Sequence, residues 1–238
     1  MSEKIEIILV DIGNTRTKSA EVRGGRIAQA RSWDNFNQLN NAYQNEVPFI
    51  ICSTGFESIK RSNTLILSHE TPIPITLDYE TPETLGADRI AAAVGANVLF
   101  PNTNSLIADL GTCMTIDFIT EEEKFIGGTI SPGLTMRMKS MAHYTTNLPD
   151  ISSQWEKMDY NILGKSTRKC LLSGAFGGIM NEIEGTVAKL KRDFTSINVI
   201  LSGGDARHFE YKLKAYTFVD SKVVFVGLYQ IWKHQFKR

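Results

Sequence analysis

Few cysteines, no net charge and no long apolar run: each shortage narrows what this chain can be. Its three cysteines, Cys52, Cys113 and Cys170, form an odd and widely spaced set, without the paired spacing of a disulfide framework or a zinc site. They point to a reducing compartment, and each reads most simply as a small buried apolar side chain rather than a reactive thiol. Lys plus Arg and Asp plus Glu both number 26, so no whole-chain field draws in nucleic acid or an anionic membrane, although a local basic cleft is still allowed. No stretch approaches the roughly 18 apolar residues that cross a bilayer. The opening Met1-Ser2-Glu3-Lys4 is too short and too acidic a lead for a secretory signal. A cytoplasmic protein with neither nucleic-acid nor membrane partners is the expectation. The four histidines, His69, His143, His208 and His234, share no metal-site spacing.

What is present is an ordinary globular supply of apolar residues, 42% of 238, enough for one large or two small domains at roughly 150 residues each. Strand signals come first, at Lys4 to Val10, Thr17 to Arg23 and Arg26 to Ser32, the last two joined by the Gly24-Gly25 pair of a tight hairpin. A polar helix follows at Asn35 to Asn45, then the continuous apolar run Phe49 to Cys52 of a buried parallel strand, and a helix at Glu57 to Leu65. Thr81-Pro82-Glu83 opens a helix that Gly86 interrupts, so that Asp88 and Arg89 begin its regular part and Pro101 ends it. From Ser105 the strand pattern restarts through Thr115 to Ile119 and Phe125 to Ile130. A helix is predicted at Leu134 to His143, a loop at Thr145 to Gly164, the longest helix at Ser166 to Phe194, a strand at Val199 to Leu201 and a last helix at Val223 to Phe236. The order predicts an α/β layer fold, and the repeated strand set places a boundary at Pro101 to Asn104.

The stretch Asp11-Ile12-Gly13-Asn14-Thr15-Arg16-Thr17-Lys18 follows the first apolar strand, and Asp109-Leu110-Gly111-Thr112-Cys113-Met114-Thr115 follows another, 98 positions on. An acidic residue, a glycine and small hydroxyls at a strand end let the backbone turn sharply and offer N–H groups to an anion. A single such turn is commonly just a hairpin; two suggest a duplicated domain facing a nucleotide. Phosphoryl transfer needs positioned charge: metal-holding carboxylates, donors for phosphate oxygens and a base for the accepting hydroxyl. Asp11 and Asp109 could supply oxygen ligands for magnesium across a cleft, or could simply cap their turns. Lys18 could reach a phosphate as a point charge, or point outward from an edge strand. Asp88, near a helix start, is held ionised by the helix dipole, which suits a proton acceptor or a cation ligand, or it could pair with Arg89. Ser202-Gly203-Gly204 lets a base or ribose approach the backbone, or is a plain turn.

Taken in order, Asp11-x-Gly13-Asn14-Thr15-x-x-Lys18, Gly86-Ala87-Asp88-Arg89, Asp109-x-Gly111-Thr112-x-x-Thr115, Gly127-Gly128-x-Ile130-x-Pro132-Gly133 and Ser202-Gly203-Gly204 resemble type III pantothenate kinase, of the acetate and sugar kinase, Hsp70 and actin superfamily. The resemblance runs from Asp11 to Gly204. It implies two ribonuclease H-like domains, 1–103 and 104–238, with ATP in a cleft between them, and a homodimer that phosphorylates pantothenate using magnesium and a monovalent cation, potassium or ammonium. By the same resemblance the residues from Asp11 to Lys18, together with Thr112, would hold ATP phosphates and Asp109 the monovalent cation. Gly86, Ala87, Asp88, Arg89 and Thr167 would contact pantothenate, as would Tyr79, with Asp88 accepting the proton of its primary hydroxyl. Cys113 stands where the family has alanine. The rival expectations are a non-catalytic accessory relative of the same fold, or a kinase for another small alcohol.

Overall fold

The computed structural model describes residues 3–55, 59–210, 212–213, 217–220 and 222–236. The first sheet is built from β1 (Ile5–Ile12), β2 (Thr17–Arg23), β3 (Arg26–Ile27), β4 (Arg31–Trp33), β5 (Phe49–Ser53) and β6 (Thr64–Ile66), in the order β3-β2-β1-β5-β6, with β4 also paired to β2. β1 and β2 are antiparallel, as are β2 and β3; β5 joins β1, and β6 joins β5, in parallel. Gly24 and Gly25, both at positive φ (51° and 71°), make the β2–β3 turn, the left-handed pair that a two-residue hairpin needs. The second sheet contains β7 (Thr76–Leu77), β8 (Asn104–Leu110), β9 (Cys113–Ile119), β10 (Lys124–Pro132), β11 (Ile197–Ser202) and β12 (Thr217–Val219), in the order β12-β11-β8-β9-β10-β7. Leaving β4 and β7 aside, both sheets read third strand, second, first, fourth, fifth along their own half of the chain. The sequence repeat therefore extends to topology.

Between α1 (Phe36–Asn41) and β1 lies a core of Ile8, Val10, Ile12, Phe36, Leu39, Phe49 and Ile51. Because strand side chains alternate, Ile7, Leu9 and Asp11 take the opposite face. That side is covered by α2 (Ala87–Leu99) and α6 (Val223–Gln235), which pack on β5, α6 also on β1. The two helices touch through glycine. A Cβ on Gly95 would fall 1.9 Å from the Val223 carbonyl, and one on Gly227 1.8 Å from that of Ala91. No other residue allows so close a backbone contact.

The remaining helices are α3 (Leu134–His143), α4 (Thr167–Leu172) and α5 (Gly178–Leu190), with a π-helical segment at Ser173–Gly177 between the last two. The predicted single helix from Ser166 to Phe194 is thus interrupted at the segment that holds Phe176, whose ring stacks on that of Phe209 with centroids 4.3 Å apart. In the helix predicted at Glu57 to Leu65, Glu57 and Ser58 lie outside the described residues, and Thr64–Leu65 belong to β6. Strand pairing with β5 overrides local propensity there. Cα packing separates two compact units, Met1–Ser105 with Asp117–Gly127 and Lys222–Arg238, and Leu106–Ile116 with Gly128–Ser221.

Candidate active site

In the first unit the predicted residues Asp11, Lys18 and Asp88 come together, joined by one that was not singled out, Cys52. Asp11 stands near the carboxyl end of β1, opposite Lys18 in the antiparallel register and opposite Cys52 in the parallel one. Directly opposed residues share a face and interact, which puts a lysine on one side of the carboxylate and a thiol on the other. The Cys52 Sγ lies 3.7 Å from Asp11 Oδ1 and 3.6 Å from the Val10 carbonyl. Burial pushes the Asp11 carboxyl up to about 6, with Lys18 pulling it down and the nearby Asp88 carboxylate pushing it further up. Burial, then the two carboxylates, holds the Cys52 thiol well above its ordinary range, so it is a neutral hydrogen-bond donor and not a nucleophile.

The turn itself is tight: Gly13 N–H donates to the Arg16 carbonyl at 3.2 Å. Asn14, Thr15 and Arg16 are exposed at its tip, whereas Ile12 and Thr17 are buried. The Ile12 carbonyl is already taken by the Thr54 N–H at 3.1 Å.

Asp88 is the second residue of α2, whose N-cap is Gly86. Its Oδ1 accepts from the Arg89 N–H at 3.0 Å, and a Cβ on Gly86 would lie 2.5 Å from that same oxygen. Glycine at the cap thus makes room for the carboxylate to fold over the helix start. Burial raises the Asp88 carboxyl above its usual range, opposed by hydrogen bonds from the Arg89 and Asp88 backbone and by the Arg89 charge. A half-buried carboxylate poised upward beside another is chemically able to accept a proton from a hydroxyl brought to it.

Arg89 does not pair with Asp88 through its side chain. The guanidinium is buried and fastened to Asp117 on β9: Nε donates to Oδ1 at 2.9 Å and to Oδ2 at 3.2 Å, and Nη2 donates to Oδ1. Tyr79 and Phe125 lie against the same group, with ring centroids 6.0 and 5.9 Å from its carbon. Asp117 was missed, although a lone carboxylate inside Ile116-Asp117-Phe118 of a predicted strand signals a buried partner.

In the second unit three predicted turns converge. A Cβ on Gly133, which caps α3, would meet the carbonyls of Gly111 and Thr112 at 2.2 and 2.6 Å, and the Gly133 N–H donates to Thr112 at 3.1 Å. Gly203, at φ +89°, would place a Cβ 2.5 Å from the Leu110 backbone, and the Asp205 N–H donates to the Leu110 carbonyl at 3.1 Å. Thus Asp109 to Thr112, Gly133 and Ser202 to Gly204 form one glycine-lined group at the ends of β8 and β11. Thr112 and Gly204 are exposed, Asp109, Gly111 and Gly203 half-buried and Ser202 buried. Thr167, exposed, opens α4 behind the capping Ser166, whose hydroxyl accepts from Lys169 N–H at 3.4 Å.

Among the described residues no group of three or more His, Cys, Asp or Glu could hold a metal ion. What the first unit has is a pair of carboxylates, Asp11 and Asp88, near enough for Asp11 to feel the charge of Asp88, with Asp11 raised chiefly by burial. That donor set fits a hard cation completed by water and phosphate oxygens, magnesium's usual surroundings. Asp109 Oδ1 would lie 3.2 Å from a Cβ on Gly111, so the glycine leaves room for the carboxylate at the turn. Among the described residues no helix is long and apolar enough to cross a membrane.

A family model for type III pantothenate kinase matches residues 7–189. The chain is similar to a type III pantothenate kinase of Cytophaga hutchinsonii, 40% identical over 94% of this chain and 97% of the relative. It is similar also to that of Phocaeicola vulgatus, 36% identical over 97% and 99%. Among solved structures, a conserved Campylobacter jejuni protein described as a Baf family transcriptional activator superposes with a TM-score of 0.70 at 21% identity over 98% of this chain and 100% of that one. A ROK family glucokinase from Streptomyces griseus, in complex with glucose and AMPPNP, superposes with a TM-score of 0.51 at 13% identity over 94% and 98%. These last two establish the actin-like kinase fold alone. With the family model covering most of its length and relatives matching nearly end to end, the chain belongs to the type III pantothenate kinase family.

Proposed function

We propose that this protein transfers the γ-phosphoryl group of ATP to the primary hydroxyl of pantothenate, giving 4′-phosphopantothenate and ADP, the first step of coenzyme A biosynthesis. The observation that carries the residue-level reading is Asp88. It sits at a helix N-terminus with its carboxyl raised by burial and its position set by the Arg89 N–H. The hydroxyl oxygen bonds to the γ-phosphorus as the bond to the β–γ bridging oxygen breaks, and the proton passes to Asp88 Oδ. Such a proton transfer contributes roughly 10²- to 10⁴-fold.

Gly86, Ala87, Arg89, Tyr79 and Thr167 position the acceptor. Asn14, Thr15 and Arg16 at the exposed turn, with Gly13, Lys18 and Thr112, hold the phosphates, and Ser202, Gly203 and Gly204 lie against the nucleoside. Asp11 is the residue to hold magnesium and Asp109 the monovalent cation, potassium or ammonium; cations there would offset the phosphate charge. Residues 1–103 and 104–238 are the two duplicated halves by strand order, with residues 117–127 and 222–238 of the second half packed in the first compact unit. A cytoplasmic homodimer completes the reading, supported in the second unit by the exposed apolar side chains of Ile130, Ile162 and Leu163, at 65%, 80% and 81% exposure, which a second copy would cover.

The test is purified protein with ATP, magnesium and potassium, ADP and phosphopantothenate being measured together. Turnover by the wild type and a roughly 10²-fold or greater loss in Asp88→Asn are expected. Absence of phosphopantothenate from the wild type overturns the activity, and an undiminished Asp88→Asn overturns the role of the base.

A further inference from the structure

We infer that Asp117 is a positioning residue for the transfer reaction: it turns Arg89 so that the Nη1 end of the guanidinium, and not the Nε edge, faces the acceptor substrate. The inference rests on the reading of Arg89 as an acceptor contact and adds the residue that makes the contact directional. A free arginine side chain on the first turn of a helix samples many rotamers and presents any of its five N–H donors. Here both oxygens of Asp117 engage Nε, at 2.9 and 3.2 Å, and Oδ1 takes Nη2 as well. A side-on grip of this kind fixes the guanidinium plane as well as its place, and leaves Nη1 pointing away from Asp117.

The surroundings reinforce the orientation. Arg89 and Asp117 are 7% and 1% exposed, so the pair is not loosened by solvent; the rings of Tyr79 and Phe125 flank the guanidinium, and the Tyr79 hydroxyl is a second, weaker hydrogen-bond partner to it after Asp117. A buried carboxylate 28 positions away in sequence from the arginine is costly to retain, and an apolar pair of similar volume would commonly serve stability as well or better. The ion pair also reaches the base. Arg89 supplies the backbone N–H that Asp88 Oδ1 accepts, so the residue Asp117 anchors from below is the one that holds the base from behind. The charge consequence is specific. Asp117 cancels the arginine's formal charge, so Arg89 serves the acceptor as an aimed donor to a carboxylate or amide oxygen rather than as a long-range anion attractor.

The experiment is steady-state kinetics of Asp117→Asn, Asp117→Glu, Arg89→Gln and the double variant Asp117→Asn/Arg89→Gln, with KM for pantothenate and for ATP measured separately and a thermal melt of each. Misaiming a substrate contact by about an ångström costs up to roughly a hundredfold. Asp117→Asn is therefore expected to raise the pantothenate KM about tenfold or more, with the ATP KM within about twofold, and Asp117→Glu, which keeps the charge, to recover part of the loss. The double variant is expected to be no worse than Arg89→Gln, since one aims the other. A merely structural salt bridge predicts a lower melting temperature and less active protein with both KM values unchanged, which would overturn the inference. If Arg89→Gln itself leaves the pantothenate KM unchanged, the reading of Arg89 fails instead. Should Asp117→Asn not fold, the same split is read from Asp117→Glu, where an unchanged pantothenate KM overturns the inference.

Discussion

Replacing Asp11 with asparagine should make the empty protein more stable and the enzyme inactive, and the gain in stability should depend on pH in a calculable way. Burial, augmented by Asp88, raises the Asp11 carboxyl from 3.8 to about 6 in the folded chain. Below pH 3.8 the group is protonated in both folded and unfolded states and costs nothing. Between 3.8 and 6 the folded chain holds a proton that the unfolded chain has lost, so this group's contribution to stability declines as pH rises, and above about 6 the cost is complete. At 1.36 kcal/mol for each tenfold change in proton affinity, the full cost is about 3 kcal/mol, of which about 1.6 kcal/mol is already present at pH 5. Asparagine has the same shape and no charge, so packing changes cancel when the two pH values are compared. Urea denaturation followed by circular dichroism, without nucleotide or divalent cation, should show the advantage of Asp11→Asn over wild type widening by about 1.4 kcal/mol from pH 5 to pH 7.5. An advantage that stays level or narrows would refute the electrostatic reading of the β1 carboxylate.

Gly227→Ala drives a methyl group into the Ala91 carbonyl at the α2–α6 contact; overpacking of this kind costs about 3 kcal/mol, and the melting temperature should fall by roughly 6–12 °C. Gly203→Ala combines a positive φ of 89° with a collision at Leu110, so it should lift the turn off the end of β8. Kinetics should show the KM for ATP rising about tenfold while that for pantothenate stays within about twofold. Gly86→Ala, which crowds the Asp88 carboxylate, should lower kcat about tenfold or more with a melting temperature within a few degrees of wild type, checked by turnover and thermal melt on one preparation.

Local signals carried the element types because they are local. The Gly24-Gly25 turn, the Phe49 to Cys52 run and the Gly86 interruption before α2 each depend on a few neighbouring residues, and the structure has them. The segment around Thr64 defeated local reading because its strand exists only by pairing with β5. The long helix after Ser166 was legible in extent but not in its π-helical break, where Phe176 packs against the rings of Trp155, Tyr160 and Phe209, contacts that no local spacing contains.

The same division runs through the site. The chain alone determined that there are two acidic glycine turns on a repeated strand order, a helix beginning at Gly86-Ala87-Asp88, and a third turn at Ser202-Gly203-Gly204, since these are properties of short stretches. Only tertiary structure decided that Cys52 and Lys18 flank Asp11 across two different strand registers, that Gly133 and Gly203 close on the β8 turn, and that Arg89 belongs to Asp117 and not to its neighbour Asp88. The reason is physical: hydrogen-bond register and the pairing of buried charges are settled by which distant backbones come within about 3 Å of one another, a quantity that no spacing along the chain contains.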